Sequence, residues 1–132
     1  MLVTVNVPAS RACLTAMLEG LTLLDMVLME QAGGLPPLYE SGIRYRREPP
    51  GRERWLTATE VLAVGVGDCE DLGAYRAAEL RRAGVAARAV AIRTGRKKFH
   101  TVVLLPDKTF EDPSVRLGMK KPKPKPHSSR FA

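Results

Sequence analysis

Residues 65–84 read GVGDCEDLGAYRAAELRRAG, and this stretch decides the fold. Its first glycines end one helix. Apolar residues then recur at helical spacing as far as Gly84, which predicts a second helix from Cys69 to about Ala83. A cysteine at the start of a helix lies near the positive end of the helix dipole, which favours the thiolate. Open N–H groups at the same end are suited to hold an oxyanion during acyl transfer.

Upstream of this stretch, the chain alternates between helical patterns and connectors. LVTVNV near the start predicts a short strand, and residues 10–31 predict a long helix that ends at Gly33 and Gly34. Residues 35–54 are expected to form an irregular connector with a short extended piece at 43–46. Thr57 and Glu60 have the spacing of a capping box ahead of a short helix, TATEVLAV.

Downstream of the Cys69 helix, the pattern changes to short strands. Strands are expected at 85–93, 99–105 and 108–111, with turns at TGRKK and at Pro106–Asp107. Helices followed by an antiparallel meander indicate an α+β fold, with the Cys69 helix packed on a small antiparallel sheet.

The net charge of +7 is concentrated at one end of the chain. Residues 120–132, KKPKPKPHSSRFA, carry five of the 21 basic residues and no acid, so the rest of the chain is nearly balanced. Alternating Lys and Pro favours an extended tail without a core. This predicts a solubilising or docking tail, with contact to an acidic protein surface or to nucleic acid as the alternative. Nucleic acid is the less favoured partner, because no aromatic residue is interleaved for stacking.

The remaining composition predicts a soluble intracellular protein of one domain. The N-terminus lacks the basic region of a signal peptide. Residues 12–29 are the most apolar stretch, but they contain Glu19 and Asp25 and are predicted as a buried helix, with no membrane span. Two cysteines do not form a disulfide framework, and Cys13 lies within an apolar helical pattern, where it is expected to be structural.

Three residues form a candidate catalytic set. His100 interrupts the apolar strand FHTVVLL, where an imidazole needs a partner. In a hairpin centred near Asp107, His100 and Asp112 lie at similar depth. The set predicts a Cys-His-Asp triad of Cys69, His100 and Asp112. A structural cysteine, a satisfied core histidine and a plain turn at Asp112 remain open as alternatives.

The acids beside Cys69 oppose a thiolate. Asp68, Glu70 and Asp71 would raise the pKa of the thiol, so that a cationic partner is needed, and His100 is the candidate. The same acids also suit a helix N-terminus for structural reasons, with Asp68 as the cap.

Three blocks of sequence together resemble a known family. WLTATEVLAVGVGDCEDLGAYRAAELRRAGVAARAV, then FHTVVLL and FEDPS, resembles the bacterial branch of the transglutaminase-like cysteine peptidases. The resemblance implies a papain-like core over about 55–114 within a domain of 1–119. It further implies Cys69 as nucleophile, His100 as general base and Asp112 as the residue that orients it. Calcium binding through Asp68, Glu70 and Asp71 is a less favoured implication; no cofactor or other metal is expected.

The flanks PPLYESGIRYRREP and EDPSVRLGM resemble small versions encoded by tailed bacteriophages and prophages. Two functions follow as expectations. One is thiol-dependent acyl transfer from a peptide or amide to water or an amine, as in a peptidase or a transglutaminase proper. The other is a structural or adaptor role in a phage virion, in which the basic tail contacts virion proteins. The expected location is the host cytoplasm or the phage particle. Trp55 is expected to anchor the short helix or to line the substrate site.

Overall fold

The computed structural model describes residues 10–49, 54–96 and 98–120. In this part of the chain the helices are α1 (Arg11–Gln31), α2 (Ala58–Val64), α3 (Cys69–Arg82) and α4 (Pro113–Arg116). The strands are β1 (Arg44–Tyr45), β2 (Val66–Gly67), β3 (Arg88–Gly95), β4 (Lys98–Leu104) and β5 (Phe110–Glu111). A single 3-10 turn at Leu38–Glu40 precedes β1. The predicted strand LVTVNV and all of the Lys/Pro tail after Lys120 lie outside the described residues.

The helices around the Cys69 stretch begin where the sequence predicts. The Thr57 side chain and Glu60 form the expected capping box at the start of α2, and Gly65 ends that helix with a left-handed φ of 86°. Asp68 caps α3, and the Asp71 side chain returns to the backbone N–H of Asp68. Reciprocal bonds of this kind satisfy N–H groups that a helix start leaves open.

Helix α1 is tied to three other elements by side-chain contacts. Oδ1 of Asp25 accepts the first N–H of α2 at 2.8 Å. Glu19 and Arg81 of α3 form two bonds of 2.6 Å, and Thr15 accepts a backbone N–H from β3 at 3.1 Å. By length and composition alone α1 is also apolar enough to cross a membrane. These contacts make it a packed element of the fold.

The expectation that α1 is buried is only partly right. Leu18, Thr22, Asp25 and Met29 form its buried face. Its opposite face is apolar and exposed: Leu23, Leu24 and Val27 keep 51%, 46% and 51% of their surface accessible. Among the described elements, α3 and β3 pack most extensively against α1, and the buried face is the side toward them.

The strands form two small sheets among the described residues. The antiparallel meander β3-β4-β5 confirms the predicted hairpins, and its register pairs Ile92 with His100 and Val103 with Glu111. The predicted boundaries were wrong in detail, since β3 begins three residues later than expected and β5 is only two residues long. The parallel pair β1–β2 was not predicted. It places Tyr45 beside Gly67, two residues before Cys69.

The mixture of helices with a small antiparallel sheet makes this an α+β fold, as predicted. Two apolar clusters hold it together. One gathers α2, α3 and the connector around Tyr75 and Leu72. The other lies between α1, α3 and the sheet around Leu18, Ala77 and Val103. Helix α3 contributes to both clusters, which fixes its position relative to β4.

Candidate active site

Cys69 is the first residue of α3, and the capping carboxylate of Asp68 joins its backbone to the segment at Glu48. Oδ1 of Asp68 accepts the backbone N–H of Cys69 at 2.7 Å, and Oδ2 of Asp68 accepts the N–H of Glu48 at 2.9 Å. The Cys69 side chain is half-buried. The expectation that N–H groups at this helix start are open to an oxyanion is wrong for Cys69 itself, because its N–H is already donated to the capping carboxylate.

His100 and Asp112 meet as predicted. Nε2 of His100 lies 2.8 Å from Oδ2 of Asp112. The other oxygen, Oδ1, accepts the N–H of Val115 at 3.3 Å and so caps α4. Asp112 thus serves two donors at once. A carboxylate bonded to Nε2 favours the tautomer with its proton on that nitrogen, which leaves Nδ1 as the basic atom.

The sulfur of Cys69 lies beside β4, at the residue that follows His100. The backbone N–H of Thr101 acts on this sulfur as a hydrogen-bond donor and lowers the pKa of the thiol. In the β3–β4 register, Thr101 is paired with Ala91, whose N–H turns outward to Thr15. Ala91 and Thr101 are thus a non-hydrogen-bonded pair of the antiparallel ladder, in which both N–H groups point away from the partner strand. The Thr101 N–H therefore points away from β3, toward the start of α3.

The net effect of the surroundings is to keep the thiol protonated. Burial raises the pKa of the Cys69 thiol most, and the negative charge of Glu70 raises it further. Sγ of Cys69 donates a hydrogen bond to Oε2 of Glu70 at 3.2 Å. The dipole of α3 therefore does not by itself produce a thiolate, contrary to the first expectation for this position. The prediction that the flanking acids raise the pKa of the thiol agrees with the shift for Glu70 and Asp68, whose charges both raise it, whereas Asp71 bonds to the backbone of Asp68.

The three acids of the first turn have different roles. Asp71 is buried, and its two oxygens accept the N–H of Leu56 at 2.7 Å and that of Asp68 at 3.0 Å. Burial raises the pKa of Asp71 to about 7. Asp71 thereby fastens the chain near Trp55 to the loop before the cysteine. This is a structural role that its spacing in the capping-box pattern indicates.

The acids expected to bind calcium lie only partly together. Ligand atoms of Asp68, Cys69 and Glu70 lie within 4.8 Å of one another. Asp71 does not belong to this group, because it points to the backbone of the preceding segments. Both oxygens of Asp68 already accept backbone N–H groups. Such contacts satisfy the acids without an ion, and calcium stays an untested prediction.

Tyr45 is a site residue that the sequence pattern does not indicate. Its backbone is fixed between Leu117, whose carbonyl accepts its N–H at 3.0 Å, and Gly67 of the paired strand. Burial raises the pKa of Tyr45 to about 12, and the negative charge of Asp68 raises it as well. The phenol thus faces the start of α3. No spacing rule links Tyr45 to Cys69, because a parallel two-residue strand pair leaves almost no pattern.

Trp55 is half-buried and packs against the cluster around Leu18 and Ala77. This cluster lies between α1, α3 and the sheet and not around α2. Both roles expected of Trp55, as an anchor of the short helix and as a substrate contact, therefore stay predictions. Cys13 lies half-buried in α1 as a free thiol, and so does Cys69 at the start of α3. The structure therefore supports one candidate nucleophile, with its sulfur next to strand β4, which carries His100, and with His100 in contact with Asp112 at the start of α4.

The chain matches no protein-family model, no curated protein and no solved structure.

Proposed function

We propose that this protein catalyses thiol-dependent acyl transfer at a peptide or amide bond, with Cys69, His100 and Asp112 as its triad. The observation that carries the proposal is the contact between His100 and Asp112, together with the placement of the Cys69 sulfur at the neighbouring residue of β4. A carboxylate that orients the base and a nucleophile beside the strand of that base are two features that a triad needs. The contact between the Cys69 sulfur and Nδ1 of His100 is the third, and it is part of the proposal. It also agrees with the resemblance to transglutaminase-like cysteine peptidases.

The reaction begins from a protonated thiol. Nδ1 of His100 takes the proton of Cys69, and Asp112 stabilises the imidazolium through Nε2–H. The sulfur attacks the substrate carbonyl carbon, and the carbonyl π electrons move to oxygen. When the C–N bond breaks, the leaving amine takes the proton from His100 and a thioester remains. Water or an amine then attacks the thioester, His100 accepts the proton of the attacking group, and the thiol is regenerated.

Substrate binding must also change the surroundings of Cys69. The hydrogen bond from Cys69 to Glu70 competes with transfer of the proton to His100. A substrate that enters the half-buried site displaces this contact or covers it. In the resting enzyme this contact slows alkylation of the thiol but does not remove its dependence on His100, which competes for the same proton.

The test is alkylation of Cys69 by iodoacetamide in the wild type and in His100→Ala. We expect the rate for Cys69 to fall at least about tenfold in the variant, because one pKa unit in the thiol changes the thiolate fraction tenfold. Cys13 serves as the internal reference in the same molecule, read from its own tryptic peptide. Equal Cys69 rates in both proteins, relative to Cys13, would contradict the proposal.

A second candidate is an adaptor or structural role in a phage virion, with or without catalysis. The observation that favours it is the exposed apolar face of α1, since large apolar side chains at the surface often mark protein contacts. The high pKa of the Cys69 thiol also suits a scaffold that has no need of a nucleophile. Mass spectrometry of purified particles would show a stoichiometric component, and normal infection by particles with Cys69→Ser would argue against a required catalytic step.

A further inference from the structure

Helix α3 and strand β4 approach each other most closely at Gly73 and Thr101. Gly73 lies four residues after Cys69 and therefore on the same face of α3. A Cβ atom at Gly73 would lie 2.6 Å from Cγ2 of Thr101. The next atoms are Cβ of Thr101 at 3.7 Å and Cβ of Ala89 at 3.9 Å, which are ordinary contact distances. A single methyl group thus limits the approach.

Neither side of this contact can give way easily. Thr101 is β-branched, lies within β4 and is 4% exposed, so its methyl group has little freedom to rotate away. Gly73 is in the middle of α3 and does not have the positive φ that would require a glycine. Glycine also disfavours a helix relative to alanine. The absent side chain is therefore explained by the close approach and not by the backbone.

The same two residues lie next to the candidate catalytic groups. Thr101 directly follows His100, and its N–H acts on the Cys69 sulfur. Gly73 stands one turn behind that sulfur. The distance between α3 and β4 at this contact therefore sets the distance between the nucleophile and the strand that carries its base.

We propose that Gly73 and Thr101 are a pair of positioning residues, whose contact sets the depth of Cys69 against β4 and so makes its reactivity depend on His100. The inference rests on the proposed function. It predicts that a methyl group on Gly73 separates α3 from β4 by about 1 Å. A misplacement of that size is enough to cost on the order of 100-fold in a reaction that needs aligned groups.

The experiment measures the alkylation rate of Cys69 in a protein with His100 and in the same protein with His100→Ala, and takes the ratio of the two rates. This ratio is measured in the wild type and in each variant described below. The matched control is Gly20→Ala in α1, because Gly20 is a helical glycine at which an added Cβ would have nothing within 4 Å. We expect Gly20→Ala to keep the wild-type ratio. In Gly73→Ala we expect the ratio to fall to about one. A merely structural role would alter the melting temperature without abolishing the dependence on His100.

The rescue variant is Gly73→Ala with Thr101→Ser, which moves one methyl group from the strand to the helix. Serine lacks Cγ2, so the new Cβ meets only ordinary contacts and the packed volume is conserved. We expect this double variant to fold and to recover the wild-type ratio, even if Gly73→Ala alone fails to fold. A folded double variant with a ratio near one overturns the inference, and so does a Gly73→Ala protein that keeps the full ratio.

Failure of the inference can be told apart from failure of the proposed function. A wild-type ratio near one refutes the proposed function, and the positioning role falls with it. A large wild-type ratio that persists in Gly73→Ala refutes the positioning role alone.

Discussion

Replacement of Glu70 by glutamine tests the electrostatics of the site most sharply. Oε2 of Glu70 accepts the hydrogen bond from Sγ of Cys69 at 3.2 Å, and after burial its charge is the largest cause of the raised pKa of the thiol. Glutamine keeps the length of the side chain and one carbonyl acceptor but removes the charge. The change therefore isolates the repulsion between two negative groups.

The size of the effect follows from the distance. Two unit charges separated by 3.2 Å repel by about 1.3 kcal/mol at a dielectric constant of about 80 and by about 5 kcal/mol at about 20. Both residues are half-buried, so the repulsion lies between these limits. The lower limit already corresponds to about a tenfold change in the thiolate fraction. We therefore expect Glu70→Gln to lower the pKa of the Cys69 thiol and to raise its alkylation rate at neutral pH about tenfold or more.

The assay is iodoacetamide labelling followed by peptide mass spectrometry, with Cys13 as the internal reference. Glu40→Gln is the control for removal of one exposed acid elsewhere. An unchanged Cys69 rate in Glu70→Gln would refute the electrostatic account. A slower rate would show that the Glu70 carboxylate assists loss of the proton, which would assign the base to Glu70 instead of His100.

Two further predictions concern the other carboxylates. In Asp112→Asn a single amide oxygen must replace two acceptors. It should keep the shorter contact to His100 (2.8 Å) and give up the longer one to Val115 (3.3 Å). We expect chemical denaturation to show a loss of about 1 kcal/mol in the free energy of unfolding from the missing cap, while the Cys69 alkylation rate stays within about tenfold of the wild type. Asp112→Ala should lose both stability and reactivity. An Asp112→Asn protein that loses reactivity at unchanged stability would contradict this order of contacts. Burial raises the pKa of Asp25 from 3.8 to about 7, and the charge of Glu60 adds to the rise. The folded state then holds a proton that the unfolded state has released, so the free energy of unfolding falls as pH rises through this window. Asp25→Asn should remove that loss, so its free energy of unfolding relative to the wild type should rise from about pH 4 to about pH 7, by at most about 4 kcal/mol. Urea unfolding at several pH values measures this difference. A difference that does not change with pH would count against the prediction.

Much of the local structure could be predicted because short-range rules determine it. The capping box of α2, the Asp68 cap and the start of α3 at Cys69 depend on residues within four positions of each other. The hairpin between β4 and β5 follows from the turn near Asp107. That hairpin brings His100 to Asp112, which is why this contact could be anticipated from spacing.

The remaining features depend on contacts between distant parts of the chain. The parallel pair β1–β2 joins Tyr45 to Gly67 across 22 positions, and two-residue strands leave no periodicity to detect. The direction of the pKa shift at Cys69 depends on how deeply α3 is buried against β4, because burial and the charge of Glu70 raise the pKa more than the Thr101 N–H lowers it. A sequence pattern locates a cysteine at a helix start, but it does not give the depth at which that start lies.

In the proposed mechanism, His100 donates a hydrogen bond from Nε2–H to Asp112 and accepts the proton of Cys69 at Nδ1. Nitrogen NMR of the imidazole tests it directly, and His127→Gln leaves His100 as the one remaining histidine. Our account predicts an Nε2–H tautomer at neutral pH and an Nδ1 resonance that shifts when Cys69 is replaced by alanine. A proton on Nδ1, or an Nδ1 resonance indifferent to the loss of the sulfur, would contradict it.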